Sequence, residues 1–289
     1  MNYLKALHLP NGKIAVFPLK THAVYALLLL WSISGCSSIK PGVNSATSTA
    51  RAERVQAQAT EMASHIQSTV VVDSAHATAT AQVRQAQLAA AKEWPIILSD
   101  TFDSNQNDWP TGSDTGEFAS ITWTNANGKY RWDATAKQGF IWWSYPAVSD
   151  VNDFYLSVDA QQISGPATAQ MGLLLRLFDN SNFYLFKIDN NQRYTFELSS
   201  GDGWTTLLDW TNSPALKPNE VNHLTVFAEG NYFAFFVNGS LVAELTDDHL
   251  AGGKGGVAIG LDNAGDQAVF EFDNFVLRAP PTLQETPTP

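Results

Sequence analysis

The chain encodes an all-β sandwich carried behind an alanine-rich helical segment, and three observations predict this. From Pro95 onward alanine becomes scarce, Trp, Phe and Tyr become dense, and short apolar runs alternate with Asn, Asp and Gly. No helix-period stretch separates those runs, which leaves two packed antiparallel sheets as the way to bury them. Residues 49–93, by contrast, are rich in Ala, Gln, Arg and Glu and contain neither Gly nor Pro. That helical run ends at Trp94-Pro95, because a proline lacks the amide that a continuing helix needs.

The first segment is a leader. An apolar run beginning at Ala23, just after Lys20 and His22, passes through four consecutive leucines and ends in small residues at Cys36, in the form of a signal peptide over residues 1–36. The run is shorter than the roughly 20 residues needed to span a bilayer. Ile33-Ser34-Gly35-Cys36 resembles the lipobox of bacterial lipoproteins, which implies lipidation of Cys36 and a membrane anchor on the extracytoplasmic side. By the same resemblance, Ser37 implies transfer to the outer membrane where there is one, and otherwise the outer face of the plasma membrane. The mixed stretch before Lys20, with Leu9-Pro10-Asn11-Gly12, suggests that translation begins further on. Cys36 is the sole cysteine, so no disulfide framework staples the fold and the core must carry stability.

Residues 37–48 read as a polar tether around Lys40-Pro41-Gly42. Within 49–93, Val55, Met62, Ile66 and Val70 recur every seven or four positions and the stripe continues as alanine, so a wholly helical segment reaches about 65 Å. Two readings stand, a stalk with weak coiled-coil self-association and a partly disordered spacer. The Val70-Val71-Val72 run is where a rod would break. Residues 279–289, rich in Pro and Thr, form a disordered tail.

Between these flanks the apolar runs read as strands, among them Lys129–Asp133, Phe140–Ser144, Gln170–Phe178, Phe183–Ile188, Tyr194–Leu198, Thr205–Asp209 and Val269–Leu277. Asn238-Gly239 gives the strongest turn, since a type I′ hairpin needs positive φ at both central residues. With 44% apolar and 11% aromatic residues, the chain can bury a substantial core. Its net charge of −11 argues against nucleic acid and other polyanions as partners, which require a basic footprint.

Several segments together resemble a widespread bacterial domain of the concanavalin A-like jelly-roll group. They are Phe102-Asp103, Asp108-Trp109-Pro110, Gly172-Leu173-Leu174-Leu175-Arg176, Asn182-Phe183-Tyr184-Leu185-Phe186 and Gly203-Trp204, continuing through Phe236-Val237-Asn238-Gly239, Gly255 to Gly260 and Phe272 to Leu277. Laminin-G-like modules, legume-type lectins, glucanases and the 3-keto-disaccharide hydrolase domain share this architecture. The resemblance spans Ile97 to Arg278 and implies neighbouring first and last strands, with the chain leaving the domain (97–278) near its entry. It is specific for fold and leaves lectin, hydrolase and adhesion roles open.

Catalytic constellations are thin. Retaining glucanases of this fold are similar in carrying Glu-x-Asp-x-Glu on one strand, and the nearest match, Glu271-Phe272-Asp273-Asn274-Phe275, has Phe in place of the third acid. There is no Gly-x-Ser-x-Gly elbow or clustered histidine, and Gly252-Gly253-Lys254-Gly255-Gly256 reads as a turn, not a phosphate loop. The resemblance implies a structural calcium held by Asp103 and Asp273 near the termini. For sugar, aromatic faces and planar polar groups are needed, and the candidates are Arg176, Tyr184, Glu197, Trp204 and Trp142. Period two sets Arg193, Thr195 and Glu197 on one sheet face and Tyr194, Phe196 and Leu198 on the other; it also sends Trp142 and Trp143 to opposite faces. Arg176, in mid-strand among apolar residues, must face a groove or pair with an acid such as Glu197. The expected partners are an extracellular glycan or an envelope protein.

Overall fold

The computed structural model describes residues 7–8, 53–62, 64, 80–201 and 203–281. The tether, the lipobox and residues 282–289 lie outside these, as does most of the leader. Of the expected stalk, residues 53–62 and 80–91 are helical, while 65–79 fall outside the described residues.

Residues 7–8 together with 86–281 carry two antiparallel sheets, with strands numbered along the chain. One sheet orders β1 (Leu7–His8), β6 (Phe140–Ser144), β15 (Lys254–Leu261), β8 (Gln170–Asp179), β9 (Asn182–Asp189), β10 (Arg193–Ser200) and β11 (Gly203–Asn212). The other orders β14 (Ser240–Thr246), β13 (Tyr232–Val237), β12 (Asn222–Glu229), β7 (Phe154–Ser164), β16 (Gln267–Arg278), β5 (Lys129–Ala136), β4 (Ala119–Ala126) and β3 (Gly112–Thr115), and β2 (Ile96–Asp100) also pairs with β16. The Asn238-Gly239 hairpin forms as its sequence requires, with φ of 51° and 79°.

Strand alternation builds the core. In β5, Tyr130, Trp132, Ala134 and Ala136 point inward while Lys129, Arg131, Asp133 and Thr135 point outward. The inward set joins Phe102, Trp109, Trp142, Tyr184, Phe186, Phe196, Phe233 and Phe235 in one cluster between the sheets. Each such large side chain contributes about 1.5–3 kcal/mol on burial, enough in sum to hold a sandwich that has no disulfide.

The first and last strands lie side by side, as the resemblance implies: Leu98 pairs with Leu277 and Ile96 with Arg278. Arg278 Nη1 donates to the Trp94 carbonyl at 2.8 Å and Ala279 N donates to Pro95 O at 3.3 Å, which pins entry to exit. Leu88, Ala91 and Trp94 pack on the outer face of the nine-stranded sheet against Tyr155, Phe227, Tyr232, Ala234 and Phe236. The end of the helical segment is therefore docked on the sandwich, a contact that its alanine stripe does not announce.

Candidate functional site

The outer face of the seven-stranded sheet, turned away from the core, carries the chemistry. Its middle positions are small, Gly172 on β8 and Ala258 and Gly260 on β15, between larger residues of β6 on one side and of β9 to β11 on the other. Gly172 is obligatory, since a Cβ there would sit 2.0 Å from the Phe186 carbonyl oxygen.

One end of this face is apolar. Ile141, Trp143, Leu174, Leu177, Phe183, Leu185 and Ala258 form a second buried cluster, with Tyr145 and Trp204 packed at its margin. Trp143 meets Phe183 at 4.7 Å, and Phe183 meets the edge of Trp204 at 5.6 Å.

The other end is charged. Lys187 Nζ lies 2.8 Å from Glu197 Oε2, and the Lys187 side chain is only 4% exposed. Arg193 grips Asp189 through Nε at 3.0 Å and Nη2 at 2.5 Å. The half-buried Trp210 ring covers both cations, 5.8 Å from Lys187 Nζ and 5.0 Å from the Arg193 guanidinium carbon. Gln170 Nε2 donates to Asp262 Oδ1 at 2.7 Å beside them. Desolvation pushes the Asp262 carboxyl above the usual carboxylate range, against the attraction of Lys187 and Arg193. Edge strand β11 thus presents two half-buried tryptophans, Trp204 and Trp210, over a row of paired charges.

The alternation read from Arg193, Thr195 and Glu197 holds, and Glu197 and Trp204 share this face. Arg176, Tyr184 and Trp142 do not. Arg176 is 1% exposed and donates to the carbonyls of Leu250 (2.7 Å), Asn152 (2.9 Å) and Gly230 (2.7 Å). It pairs with three backbone acceptors instead of Glu197, because a bulge with Arg176 at φ 47° resets the alternation of β8. Tyr184 is in the core, stacked on Phe196 at 5.3 Å and hydrogen-bonded to Asp247. Trp142 lies between the sheets, 6.0 Å from Trp123, while Trp143 takes the opposite face.

The expected calcium ligands do not fit a cation. Asp273 Oδ2 receives the Lys129 ammonium at 2.5 Å, and Asp103 Oδ2 accepts from Thr101 Oγ1 at 2.8 Å. Among the described residues no three His, Cys, Asp or Glu side chains gather as a metal site. Glu271 pairs with Arg131 at 2.9 Å on the outer face of the other sheet, so the incomplete acid motif is a ladder of ion pairs.

Residues 164–277 match the laminin G family model described as the Concanavalin A-like lectin/glucanases superfamily. The sandwich is a concanavalin A-like fold. Among solved structures, this concanavalin A-like sandwich is similar to the carbohydrate binding module CBM66 from Bacillus subtilis, at 20% identity and TM-score 0.46 over 58% of this chain and 96% of that one. A Bacillus subtilis protein of unknown function with a galectin-like fold follows at 15% identity and TM-score 0.46, over 63% and 95%. The catalytic domain of an endo-1,3-beta-glucanase (laminarinase) from Thermotoga petrophila RKU-1 is similar at 10% identity and TM-score 0.45, over 64% and 97%. No curated protein matches the chain in sequence.

Sequence reading missed Lys187, Asp189, Gln170 and Asp262 as partners in this face. The signal was present in the alternating small residues Gly256, Ala258 and Gly260, which lower the middle of a sheet face between bulky neighbours.

Proposed function

We propose that the protein is a cell-envelope lipoprotein, anchored through Cys36, whose concanavalin A-like domain binds an extracellular glycan without transforming it. The observation that carries the reading is the pairing of two accessible tryptophans, Trp204 and Trp210, with a row of fixed polar groups on one sheet face. Aromatic faces stack on the C–H surface of a pyranose, and rigid polar groups beside them orient its hydroxyls. The superfamily description, lectins and glucanases, supports a sugar ligand. Binding is favoured over hydrolysis because Glu197 and Asp189 are each already engaged in an ion pair, with Lys187 and Arg193.

A glycan-array screen of the purified protein tests the reading, with Trp204→Ala and Trp210→Ala as controls. Selective capture of one sugar class that both variants lose is the expected result; capture unaffected by either variant, or release of reducing ends from the bound glycan, overturns it. Cys36→Ala is expected to move the protein out of the membrane fraction, and retention there overturns the anchor.

A further inference from the structure

The charged end of the outer face also carries an acceptor that lacks a partner. Gln170 is 6% exposed, its Nε2 donates to Asp262, and its Oε1 is buried with no hydrogen bond. That oxygen stands at the middle of the face beside the Ile141 side chain: a Cβ on Gly260 would lie 2.8 Å from Ile141 Cδ1 and 3.3 Å from Gln170 Oε1. Flipping the amide would not relieve it, because Oε1 would then face the Asp262 carboxylate. Asp262 therefore fixes which atom of Gln170 stands at the middle of the face. A buried acceptor left unpaired is costly, and a donor arriving with a ligand would recover that cost.

The charges nearby decide what kind of donor this can be. Both cations of the face are already matched, Lys187 by Glu197 and Arg193 by Asp189, and Trp210 covers both. Asp262 stands as a third carboxylate against two cations. The face thus presents acceptors and a small negative excess, within a chain of net charge −11. Among the described residues of this face a ligand carboxylate or sulfate would find no unmatched cation, and it would lie beside Asp262. A ligand hydroxyl brings the proton that Gln170 Oε1 lacks.

We infer that Gln170, oriented by Asp262, is the specificity-determining residue of this face and selects neutral saccharides by accepting a hydroxyl proton at its middle, excluding uronic and sulfated glycans. The inference rests on the glycan-binding reading above and goes further in naming the ligand class and the residue that reads it.

The test is a titration of the full-length protein, followed by tryptophan fluorescence and calorimetry. The probes are three neutral hexasaccharides (cellohexaose, laminarihexaose and maltohexaose), an oligogalacturonate and a heparin-derived oligosaccharide. At least one neutral probe should bind, and Gln170→Leu should weaken it by about tenfold or more, the loss expected for one hydrogen bond to a buried acceptor. Asp262→Ala, at an exposed position, should weaken the same probe and provides the test if Gln170→Leu fails to fold. Neutral binding unchanged in Asp262→Ala or in folded Gln170→Leu overturns the role of this pair and leaves the glycan-binding reading standing. Preferential binding of either acidic probe also overturns the inference alone. Binding of none of the probes overturns both.

Discussion

Arg176 lies with its guanidinium carbon 4.7 Å from the centre of the Phe233 ring, and from that seat it donates to carbonyls in three different connections. Asn152 belongs to the link from β6 to β7, Gly230 to the turn between β12 and β13, and Leu250 to the link from β14 to β15. One side chain therefore fixes three loops at one end of the sandwich. Arg176→Met keeps the stem and the ring contact but strands three acceptors, and should lower unfolding free energy by about 3–5 kcal/mol. Urea denaturation checks this, and a loss below about 1 kcal/mol would show that water replaces the guanidinium without difficulty.

Asp100 does similar work for the opening loop. Its carboxylate accepts from Phe102 N at 2.7 Å, Asn107 Nδ2 at 2.7 Å and Trp109 Nε1 at 2.9 Å, and the residue is 3% exposed. Asp100→Ala orphans these donors around a buried indole and should cost about 2–4 kcal/mol. Thermal unfolding of the variant, compared with an exposed control such as Asp114→Ala, measures it.

The Lys187–Glu197 pair should behave asymmetrically. Removing Glu197 alone leaves a nearly buried ammonium without its partner, so Glu197→Ala should destabilise by about 3–5 kcal/mol. Replacing both with apolar residues, as in Lys187→Met with Glu197→Leu, should recover most of that loss. A double-mutant cycle of Lys187→Met, Glu197→Leu and the double variant in urea reads the difference; a double-variant loss equal to the sum of the two single losses would mean that the pair is not coupled.

Acid stability should depend on Asp159. A hydrogen bond from His223 at 2.6 Å is the largest cause holding its carboxyl below the usual range, with Asn274 adding to it against desolvation. A carboxyl with a depressed folded value contributes stability in full above its unfolded value of about 3.9, and that contribution disappears as pH falls through the lower folded value. His223→Ala should therefore flatten the rise of stability with pH below about 4. Stability curves of the two proteins that remain parallel from pH 2 to pH 6 would remove His223 as the cause.

The fold was legible where physical signals were local. Alternation placed Arg193, Thr195 and Glu197 on one face, and Asn238-Gly239 announced its hairpin. β3 escaped because Gly112–Thr115 is polar and wholly exposed, leaving nothing apolar to alternate. β2 escaped because Ile96 and Ile97 are exposed while Leu98 and Asp100 are buried, a pattern that the bare run of Ile96, Ile97 and Leu98 conceals. The site was half legible. Glu197 could be assigned by period two and Trp204 only as an aromatic candidate, but Arg176 could not be placed, since a bulge is a property of the pairing and not of the run itself. Gln170 and Asp262 are separated by 92 positions and meet only because β8 and β15 are neighbours.

The closing of β2 against β16 also decides how the domain answers tension. Entry at Trp94 and exit at Ala279 lie at the same end of an antiparallel pair, joined there by the bonds from Arg278 and Ala279. A pull that draws those two points apart loads the ladder one hydrogen bond at a time, peeling β2 away instead of shearing it along its length. A pull borne by both points in common never crosses the sandwich, so the outer face of the seven-stranded sheet keeps its shape while the attachment takes the strain.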